Sequence, residues 1–254
     1  MATVNEKMTA IADAIRDKTG GTDALTLDDM VTSIPKVYNA GEQAEYDRFW
    51  DNLQDNGKRV DYTGAFSYFT LEIFNPKYKI LKPKSAYYMF NRFNPRAQQD
   101  GMAASIDLVE LLRERNITID FSDCTDFTNW LLWAGINRIG VIDCKSLKNS
   151  FRCYYAYQLK TIDKLMLYEG NGTTFMWQGC SNLENITIEG PIEKAFDIHD
   201  TTKLTHDSLM SIINALKDLS GSGTSLVLTL GTTNLAKLTD SEKAIATQKG
   251  WTLA

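Results

Sequence analysis

The chain has 254 residues, of which 43% are hydrophobic and 23% are charged. This balance is that of an ordinary folded protein, and it excludes a disordered or fibrous class. Lys and Arg total 27 against 32 Asp and Glu, a net charge of −5 at neutral pH, whereas a protein that binds nucleic acid needs a basic face. We therefore expect no nucleic-acid partner. Because no apolar run reaches the roughly 18–20 residues of a spanning helix, we also expect no membrane span.

The first residues and the cysteines bear on the cellular compartment. No basic stretch followed by an apolar one opens the chain, so we expect the protein to be cytoplasmic at synthesis. A protein exported by assembly into a virion would also lack a leader, and association with a virion stays open. No two cysteines form a Cys-x-x-Cys pair, so we expect reduced thiols and no zinc site; they are Cys124, Cys144, Cys153 and Cys180.

Residues 1–57 are predicted to form a small helical N-terminal module. Thr3 and Glu6 make a capping box, and the glycines at 20 and 21 end the first helix. Two further helices are predicted at about 26–34 and 38–53. The first helix carries an apolar stripe that could pack on the same chain or on a second copy, which would make a homo-oligomer; the stripe is Val4, Met8, Ile11 and Ile15.

Residues 58–200 contain a repeat. Strand-like segments recur at Ile117, Ile139, Ile162 and Ile186, in steps of 22, 23 and 24 residues. A period in the low twenties with one short strand per unit is typical of a leucine-rich-repeat solenoid, whose units must stack because none buries its apolar face alone. We expect one internal ladder of phenylalanines, filled in by leucines, from the set Phe66, Phe90, Phe151, Phe175, Leu147, Leu159 and Leu183. Residues 94–116 interrupt the period.

Residues 201–254 break the period and are predicted to form an α/β C-terminal cap. Thr205 begins a helix, a strand follows at 225–230, and Thr239 with Glu242 forms a capping box on a second helix. A last strand is predicted at 251–253. The predicted fold class is therefore α/β, a leucine-rich-repeat solenoid with a helical N-terminal module and an α/β C-terminal cap.

Several segments also resemble a known family. FRC at 151–153, GCSNLENITI at 179–188 and KLTHDSLMSIINAL at 203–216 resemble BspA-like leucine-rich-repeat proteins of Firmicutes phages and prophages. The ending, LGTTNLAKL at 230–238 and KGWTL at 249–253, is similar to the same group. MTAIADAIRDKT at 8–19 and LTLDDM at 25–30 look like the N-terminal module of phage tail-associated proteins. The resemblance implies a solenoid without shared catalytic residues.

Motifs that carry chemistry are scarce. His199 and His206 are seven residues apart, with Asp197, Asp200 and Asp207 beside them, but this is not a recognised metal-ligand spacing. The sequence has no Gly-x-Ser-x-Gly elbow and no Walker motif. A glycosidase would need two opposed carboxylates, whose spacing a sequence does not give. We therefore expect no enzyme activity, no metal and no cofactor.

Aromatic residues exceed what a regular internal ladder requires. Tyr and Trp supply large, rigid contact area on the broad face of a solenoid, although many such rings serve packing instead. The candidate exposed aromatics are Tyr87, Tyr88, Trp133, Tyr154, Tyr155, Tyr157, Tyr168 and Trp177. The leading hypothesis is a non-enzymatic protein, encoded by a phage or prophage, that recognises a protein or glycan surface of a bacterial host. The alternative is an intracellular inhibitor that binds a host defence protein.

Overall fold

The computed structural model describes residues 4–19, 80–93, 105–171 and 175–254, and in the first range it describes the side chains of residues 9 and 11–17. By its contacts the chain divides into two compact units, Met1–Asp55 and Asn56–Ala254. The second and third predicted N-terminal helices and Phe66 lie outside the described residues.

Helices in the described residues are short apart from the first. They are α1 Val4–Thr19, α2 Leu108–Glu114, α3 His206–Ala215, α4 Gly231–Leu235 and α5 Asp240–Gln248. As expected, α1 ends just before the two glycines. Ala12 and Ile15 are buried, but Ile11, predicted in the same stripe, is 49% exposed. Adjacent residues of a helix point about 100° apart, and the buried face passes through Ala12 and leaves Ile11 outside it; packing of the stripe on a second copy stays a prediction.

The strands alternate along the chain between two parallel sheets, with a small third pair. They are β1 Ile80–Leu81, β2 Ile106–Asp107, β3 Thr118–Ile119, β4 Phe127–Thr128, β5 Ile136–Asp143, β6 Phe151–Arg152, β7 Thr161–Met166, β8 Phe175–Met176, β9 Asn185–Glu189, β10 Phe196–Asp197, β11 Leu226–Thr229 and β12 Trp251–Leu253. From β4 to β10 successive strands belong to the two sheets alternately: the even-numbered strands lie in one sheet and the odd-numbered strands in the other.

The first sheet has the order β2-β5-β7-β9 in the described residues. Its strands are parallel, with Ile139 opposite Ile162 and Ile162 opposite Ile186, and the register shifts by one residue within β2–β5 and within β7–β9. All three side chains are buried. Each connection between neighbouring strands runs through a short strand of the second sheet, which supplies the crossover that parallel pairing requires. The predicted stacking of these three segments is confirmed.

One predicted strand of this series lies elsewhere. Thr118–Ile119 pairs with Ile80–Leu81, and the place beside β5 is taken by β2, with Ile106 opposite Ile136. The prediction that the segment at 117–119 precedes β5 in the stack is wrong. The prediction fails because β2 and α2 are inserted before this segment. The two-residue strand β2 takes the position beside β5, and it is too short to show the repeat pattern in the sequence.

The second sheet has the order β12-β11-β10-β8-β6-β4 in the described residues and is parallel throughout. Its centre is a ladder of phenylalanines at equivalent positions: Phe127, Phe151, Phe175 and Phe196. Successive ring centroids are 5.3, 6.1 and 5.8 Å apart, and each ring is at most 2% exposed. The predicted pairing of the second and third rings is confirmed, whereas the outer two were not predicted. The leucines expected to fill the core are buried, at 147, 159 and 183.

Phe90 does not belong to this ladder, contrary to the prediction. The Ala86 N–H donates to the Asp126 carbonyl at 2.8 Å, which places Ala86 opposite Phe127. Phe90 follows four residues later, and its ring packs edge-on against Phe93 with the centroids 5.6 Å apart. The spacing of 24 residues between Phe66 and Phe90 therefore does not identify a ladder position, because Ala86 takes the ladder position in the segment that contains Phe90.

Helix α3 covers the open edge of β9. Without a neighbour on this side, β9 would expose backbone N–H groups that have no partner, and such exposed edges promote aggregation. Two serines of α3 take the place of a further strand: Ser208 Oγ accepts the Ile186 N–H at 2.9 Å, and Ser211 Oγ accepts the Ile188 N–H at 2.8 Å. The first hydroxyl also donates to the Glu184 carbonyl at 3.1 Å. The β9 edge of this sheet is therefore capped by side-chain hydrogen bonds from α3.

We expect Ser208→Ala to lower the free energy of unfolding by about 1–3 kcal/mol, because it leaves the buried Ile186 N–H without its partner and removes one of the two hydrogen bonds to the Glu184 carbonyl. Urea denaturation of the full chain measures the change. The exposed Ser181 is a matched control, and Ser181→Ala should change stability by less than about 0.5 kcal/mol. Equal effects of the two substitutions would contradict the capping role of α3.

Residues 201–254 extend the second sheet. β11 pairs with β10 through Leu228 and Phe196, and β12 pairs with β11 through Trp251 and Leu226. The predicted helix starts are confirmed: the Thr205 and Thr239 side chains accept backbone N–H groups of the first turns, and the second forms a complete capping box. The described residues are thus an α/β structure of parallel sheets with few helices. None of these helices has the length and apolar character needed to cross a bilayer.

Candidate functional site

Four residues follow the strands of the phenylalanine ladder in adjacent chain segments. The Arg92 N–H donates to the Leu132 carbonyl at 2.8 Å, which brings Arg92 level with Trp133, and the Trp133 N–H donates to the carbonyl of Tyr155 itself at 3.3 Å, so Trp133 lies one position past Tyr155. The Tyr155 N–H donates to the Gln178 carbonyl at 2.9 Å, which brings Gly179 level with it. Arg92, Trp133, Tyr155 and Gly179 therefore form a staggered line across four adjacent chain segments.

The first three side chains in this line contact one another. The guanidinium carbon of Arg92 lies 4.6 Å from the centroid of the Trp133 ring, a cation–π distance. The Trp133 and Tyr155 rings stack with centroids 6.3 Å apart and planes 23° apart. Trp133 is 39% exposed, and Arg92 is exposed as well. We call Arg92, Trp133 and Tyr155 the Arg–aromatic row.

Every residue of the row has a left-handed backbone. The φ angles are 52° at Arg92, 54° at Trp133 and 51° at Tyr155, and Gly179 at the equivalent position has 74°. Glycine adopts this conformation freely, whereas a large side chain there costs about 1–2 kcal/mol. The row therefore keeps bulky side chains at three positions where glycine would be the less strained choice.

Tyr154 and Tyr157 extend the aromatic surface around Tyr155. Their ring centroids lie 6.3 and 5.8 Å from that of Tyr155, and all three rings are half-buried. Gly179 leaves room for this arrangement, because a Cβ at that position would come within 2.7 Å of the Tyr155 ring. The structure thus brings Trp133, Tyr154, Tyr155 and Tyr157 of the predicted set together.

The other predicted tyrosines are also half-buried. Tyr87 and Tyr88 meet edge to face with centroids 4.4 Å apart, and the Tyr88 hydroxyl accepts from Asn129 Nδ2 at 3.3 Å. Partial desolvation, and then the hydrogen bond with Tyr88, raises the pKa of Tyr87. Tyr168 follows β7 in the other sheet, where partial desolvation and the nearby Asp143 raise its pKa. It is therefore not part of the surface around Tyr155.

Trp177 corrects the prediction of an exposed ring. It is 1% exposed, and its indole packs against Phe151 and Phe196 with centroids 5.3 and 6.2 Å away. The ring fills the space beside the phenylalanine ladder, so at this position an aromatic residue serves the core. Its Nε1 is buried and has no hydrogen-bond partner among the described residues.

A partly open cleft of about 200 Å³ lies next to Tyr154. Three chain segments form it, one after β6, one at β8 and one at the end of β10, and its lining is Tyr154, Met176, Trp177, Gln178, Asp197, His199 and Asp200. The Tyr154 hydroxyl contacts Met176 Sδ at 2.9 Å, which fixes one wall. The Gly179 N–H donates to Asp200 Oδ2 at 3.2 Å and ties the β8 and β10 segments together. We call this the His199 cleft.

His199 lies between the two carboxylates of the cleft. Its Nδ1 is 2.6 Å from Asp197 Oδ1, and its Nε2 is 3.1 Å from Asp200 Oδ1. Both ring nitrogens donate only when the imidazole is protonated. The hydrogen bond to Asp197, with the charges of Asp197 and Asp200, raises the pKa of His199 against a smaller opposing effect of burial. When the ring is protonated, one positive charge lies between two negative ones.

The raised pKa predicts a pH-dependent contribution to stability. The contribution is present below the unfolded pKa of about 6.5 and is lost as the pH rises through the higher folded pKa. Near pH 5.5 we expect the wild type to be more stable than His199→Gln by at most about 1 kcal/mol, because the histidine side chain is half exposed. Near pH 9 we expect the two proteins to be equally stable. Urea denaturation at the two pH values measures it, and a difference that is the same at both would contradict the bridged geometry.

The remaining groups considered from the sequence have structural surroundings. His206 Nε2 lies 2.8 Å from Glu242 Oε1, on the capping box of α5 and apart from His199. Within the described ranges, no three or more His, Cys, Asp or Glu side chains are arranged to hold a metal ion. Burial raises the pKa of the Cys144 and Cys153 thiols, so both are protonated at neutral pH. Protonated, buried thiols are poor nucleophiles.

Sequence reasoning missed Arg92 and identified His199 only as a rejected metal ligand. Arg92 joins the row from 41 positions before Trp133, outside the period of about 24, so no spacing indicates the contact. Asp197 and Tyr154 meet across one cleft although 43 positions separate them. In comparisons with known proteins, no protein-family model, no curated protein and no solved structure matches this chain.

Proposed function

We propose that the protein is a non-enzymatic binding protein that recognises a protein or glycan surface of a bacterial host through the Arg–aromatic row. The proposal includes the origin suggested by the sequence resemblance, a phage or prophage, and a solenoid of the BspA-like leucine-rich-repeat kind. The parallel pairing of β5, β7 and β9 and the phenylalanine ladder support a stacked-repeat architecture. A stack of this kind offers a continuous surface on which side chains from successive units line up.

The single observation that carries the proposal is the strain in the row. Arg92, Trp133 and Tyr155 hold left-handed backbones, a conformation that glycine holds without cost at Gly179, the position level with Tyr155. Strained residues persist where the surrounding structure imposes them, and they concentrate at functional sites. Trp133 is 39% exposed, so part of its ring is open to a partner. A binding role explains why the strain is kept.

The chemistry of the row suits recognition. Trp, Tyr and Arg are the residue types that most often dominate the free energy of binding at interfaces. Contacts with Arg92 and Tyr155 hold the Trp133 ring in place before any partner arrives, which reduces the entropy lost on binding. Tyr154 and Tyr157 widen the contact area on the Tyr155 side.

The test uses glycine substitutions, which the left-handed backbone tolerates. Trp133→Gly and Tyr155→Gly remove the rings and relieve about 1–2 kcal/mol of backbone strain each, so we expect both variants to stay folded. Binding of the full chain to cell-envelope preparations of candidate host bacteria is measured by co-sedimentation. We expect each variant to bind at least about tenfold more weakly than the wild type, the loss typical of a central interface residue.

Val141→Ala is the matched control. Val141 is 53% exposed on β5, in the other sheet, and its substitution should leave binding unchanged. Folded glycine variants that bind envelopes as well as the wild type would contradict the proposal. If the wild type instead retains a cytosolic host protein and Trp133→Gly does not, the row is a binding surface but the intracellular inhibitor is the correct alternative.

A further inference from the structure

The His199 cleft has the chemistry of a small binding site. It is concave, it combines apolar walls from Tyr154 and Met176 with hydrogen-bonding groups, and its parts come from three chain segments. Ligand sites are typically apolar hollows with a few convergent polar groups. At about 200 Å³ the cleft is smaller than the roughly 300–1,000 Å³ of sites for drug-sized ligands, so it fits one ring of a larger molecule.

The polar groups of the cleft include both donors and acceptors. Asp197 and Asp200 accept hydrogen bonds, whereas the amide of Gln178 both donates and accepts. A ligand that carries several hydroxyl groups suits this set of groups, because each hydroxyl donates and accepts.

Charge argues for a neutral ligand. Two carboxylates beside an aromatic ring would by themselves attract a cation, but the His199 ring lies between them, with its nitrogens 2.6 and 3.1 Å from their oxygens. An incoming ammonium or guanidinium group would meet this imidazolium. An anionic ligand is disfavoured as well, because the three side chains together carry a net negative charge.

We propose that the His199 cleft binds a neutral pyranose ring, so that the surface recognised by this protein is a glycan. The inference rests on the proposed function and names its ligand class. Tyr154 connects the two regions, since it lines the cleft and its ring lies 6.3 Å from that of Tyr155 in the Arg–aromatic row. One sugar residue occupies the cleft, and the rest of the glycan runs along the row. The apolar face of the sugar ring packs on Tyr154, and its hydroxyls bond Asp197, Asp200 and Gln178.

The experiment is a titration of the full chain with three neutral sugars: methyl β-D-glucopyranoside, methyl β-D-galactopyranoside and N-acetylglucosamine. The indole N–H resonance of Trp177, assigned with Trp177→Phe, and the ring resonances of Tyr154 report on the cleft. We expect at least one sugar to shift both resonances saturably with a Kd of about 1–10 mM, the range of a single small contact. Nα-acetyl-lysine amide serves as the cationic probe and should cause no shift.

Gln178→Ala and Gln248→Ala form a matched pair of variants. Gln178 lines the cleft with an exposed side chain, and Gln248 is exposed at the end of α5, so both substitutions should preserve the fold. We expect the first to weaken sugar binding about fivefold or more and the second to leave it unchanged, as loss of one hydrogen bond predicts.

Three results would overturn the inference: no saturable shift with any of the sugars up to about 50 mM, equal sugar affinity in the two glutamine variants, or saturable binding of the lysine probe alone. Any of these would leave the proposed function intact if Trp133→Gly still abolishes envelope binding. If sugar binding is observed but Trp133→Gly binds envelopes as the wild type does, the cleft stands and the role of the row fails.

Discussion

Gly190→Ala is expected to lower the free energy of unfolding by more than about 4 kcal/mol, or to prevent folding altogether. Gly190 ends β9 with a φ of 98°, and a Cβ there would lie 1.9 Å from the Leu167 carbonyl oxygen and 2.9 Å from its carbon. That carbonyl belongs to the main chain just after β7, in the segment whose N–H bonds the Glu189 carbonyl at 2.8 Å, so it cannot move aside without breaking the pairing. Urea denaturation, or the yield of folded protein, measures the effect.

Gly170→Ala separates this contact from backbone strain alone. Gly170 has a φ of 77°, but no described atom lies within 4 Å of the position of a Cβ. We expect it to cost about 1–2 kcal/mol, the penalty for a left-handed alanine. Equal costs at the two glycines would show that β9 does not approach the end of β7 as closely as the structure has it.

Phe151→Ala is expected to cost about 3–5 kcal/mol, the second of the two largest effects. Phe151 is fully buried in the middle of the phenylalanine ladder, between Phe127 and Phe175, and it also contacts Trp130 and Trp177. Its removal opens a cavity among large rings that cannot collapse, because each is fixed by its own strand. Thermal and urea denaturation of the full chain provide the measurement.

A double-mutant cycle tests whether this cost arises in the ladder. Phe151→Leu and Phe175→Leu remove two stacked rings, and we expect them to be coupled by about 0.5–1.5 kcal/mol. Leu209, buried in α3, gives the control: Phe151→Leu and Leu209→Ala should add within about 0.5 kcal/mol. Additive effects of the two phenylalanine substitutions would contradict a stacked ladder.

Features set by local sequence could be predicted. The capping box of Thr239 and Glu242, the helix start at Thr205 and the last strand all depend on residues close together in the chain, and each is found where the sequence places it. The pairing of β5, β7 and β9 was predictable as well, because their isoleucines recur at nearly constant spacing.

Features that depend on irregular spacing could not be predicted. Phe196 joins the ladder 21 positions after Phe175, whereas Phe127 and Phe151 are 24 positions apart. A search for residues at a constant spacing of 24 therefore misses Phe196 at one end of the ladder. Ala86 takes a ladder position with no aromatic ring to mark it. Insertions change the spacing between ladder residues, and a small residue can take a ladder position. In both cases the strands still pair, but the aromatic repeat is no longer visible in the sequence.

The candidate site was predictable only as a set of residue types. An excess of Tyr and Trp indicated a recognition surface, and Trp133, Tyr154, Tyr155 and Tyr157 do come together. The left-handed backbone of Trp133 and Tyr155 was not predictable, because glycine, asparagine and aspartate are the usual signals of that conformation. Asp197 and Asp200 stand next to His199 in the sequence, but the cleft around them could not be predicted, since it joins segments that are distant in sequence.

The most direct test of the account is a nuclear Overhauser measurement between the rings of Trp133 and Tyr155 in the full chain. The two residues are 22 positions apart in sequence and come together only if adjacent segments stack in register and present the row. We expect cross-peaks between the indole protons and the tyrosine ring protons, and we expect them to disappear in Tyr155→Gly. Well-resolved spectra of the folded protein without these cross-peaks would contradict both the stacking and the binding surface built on it.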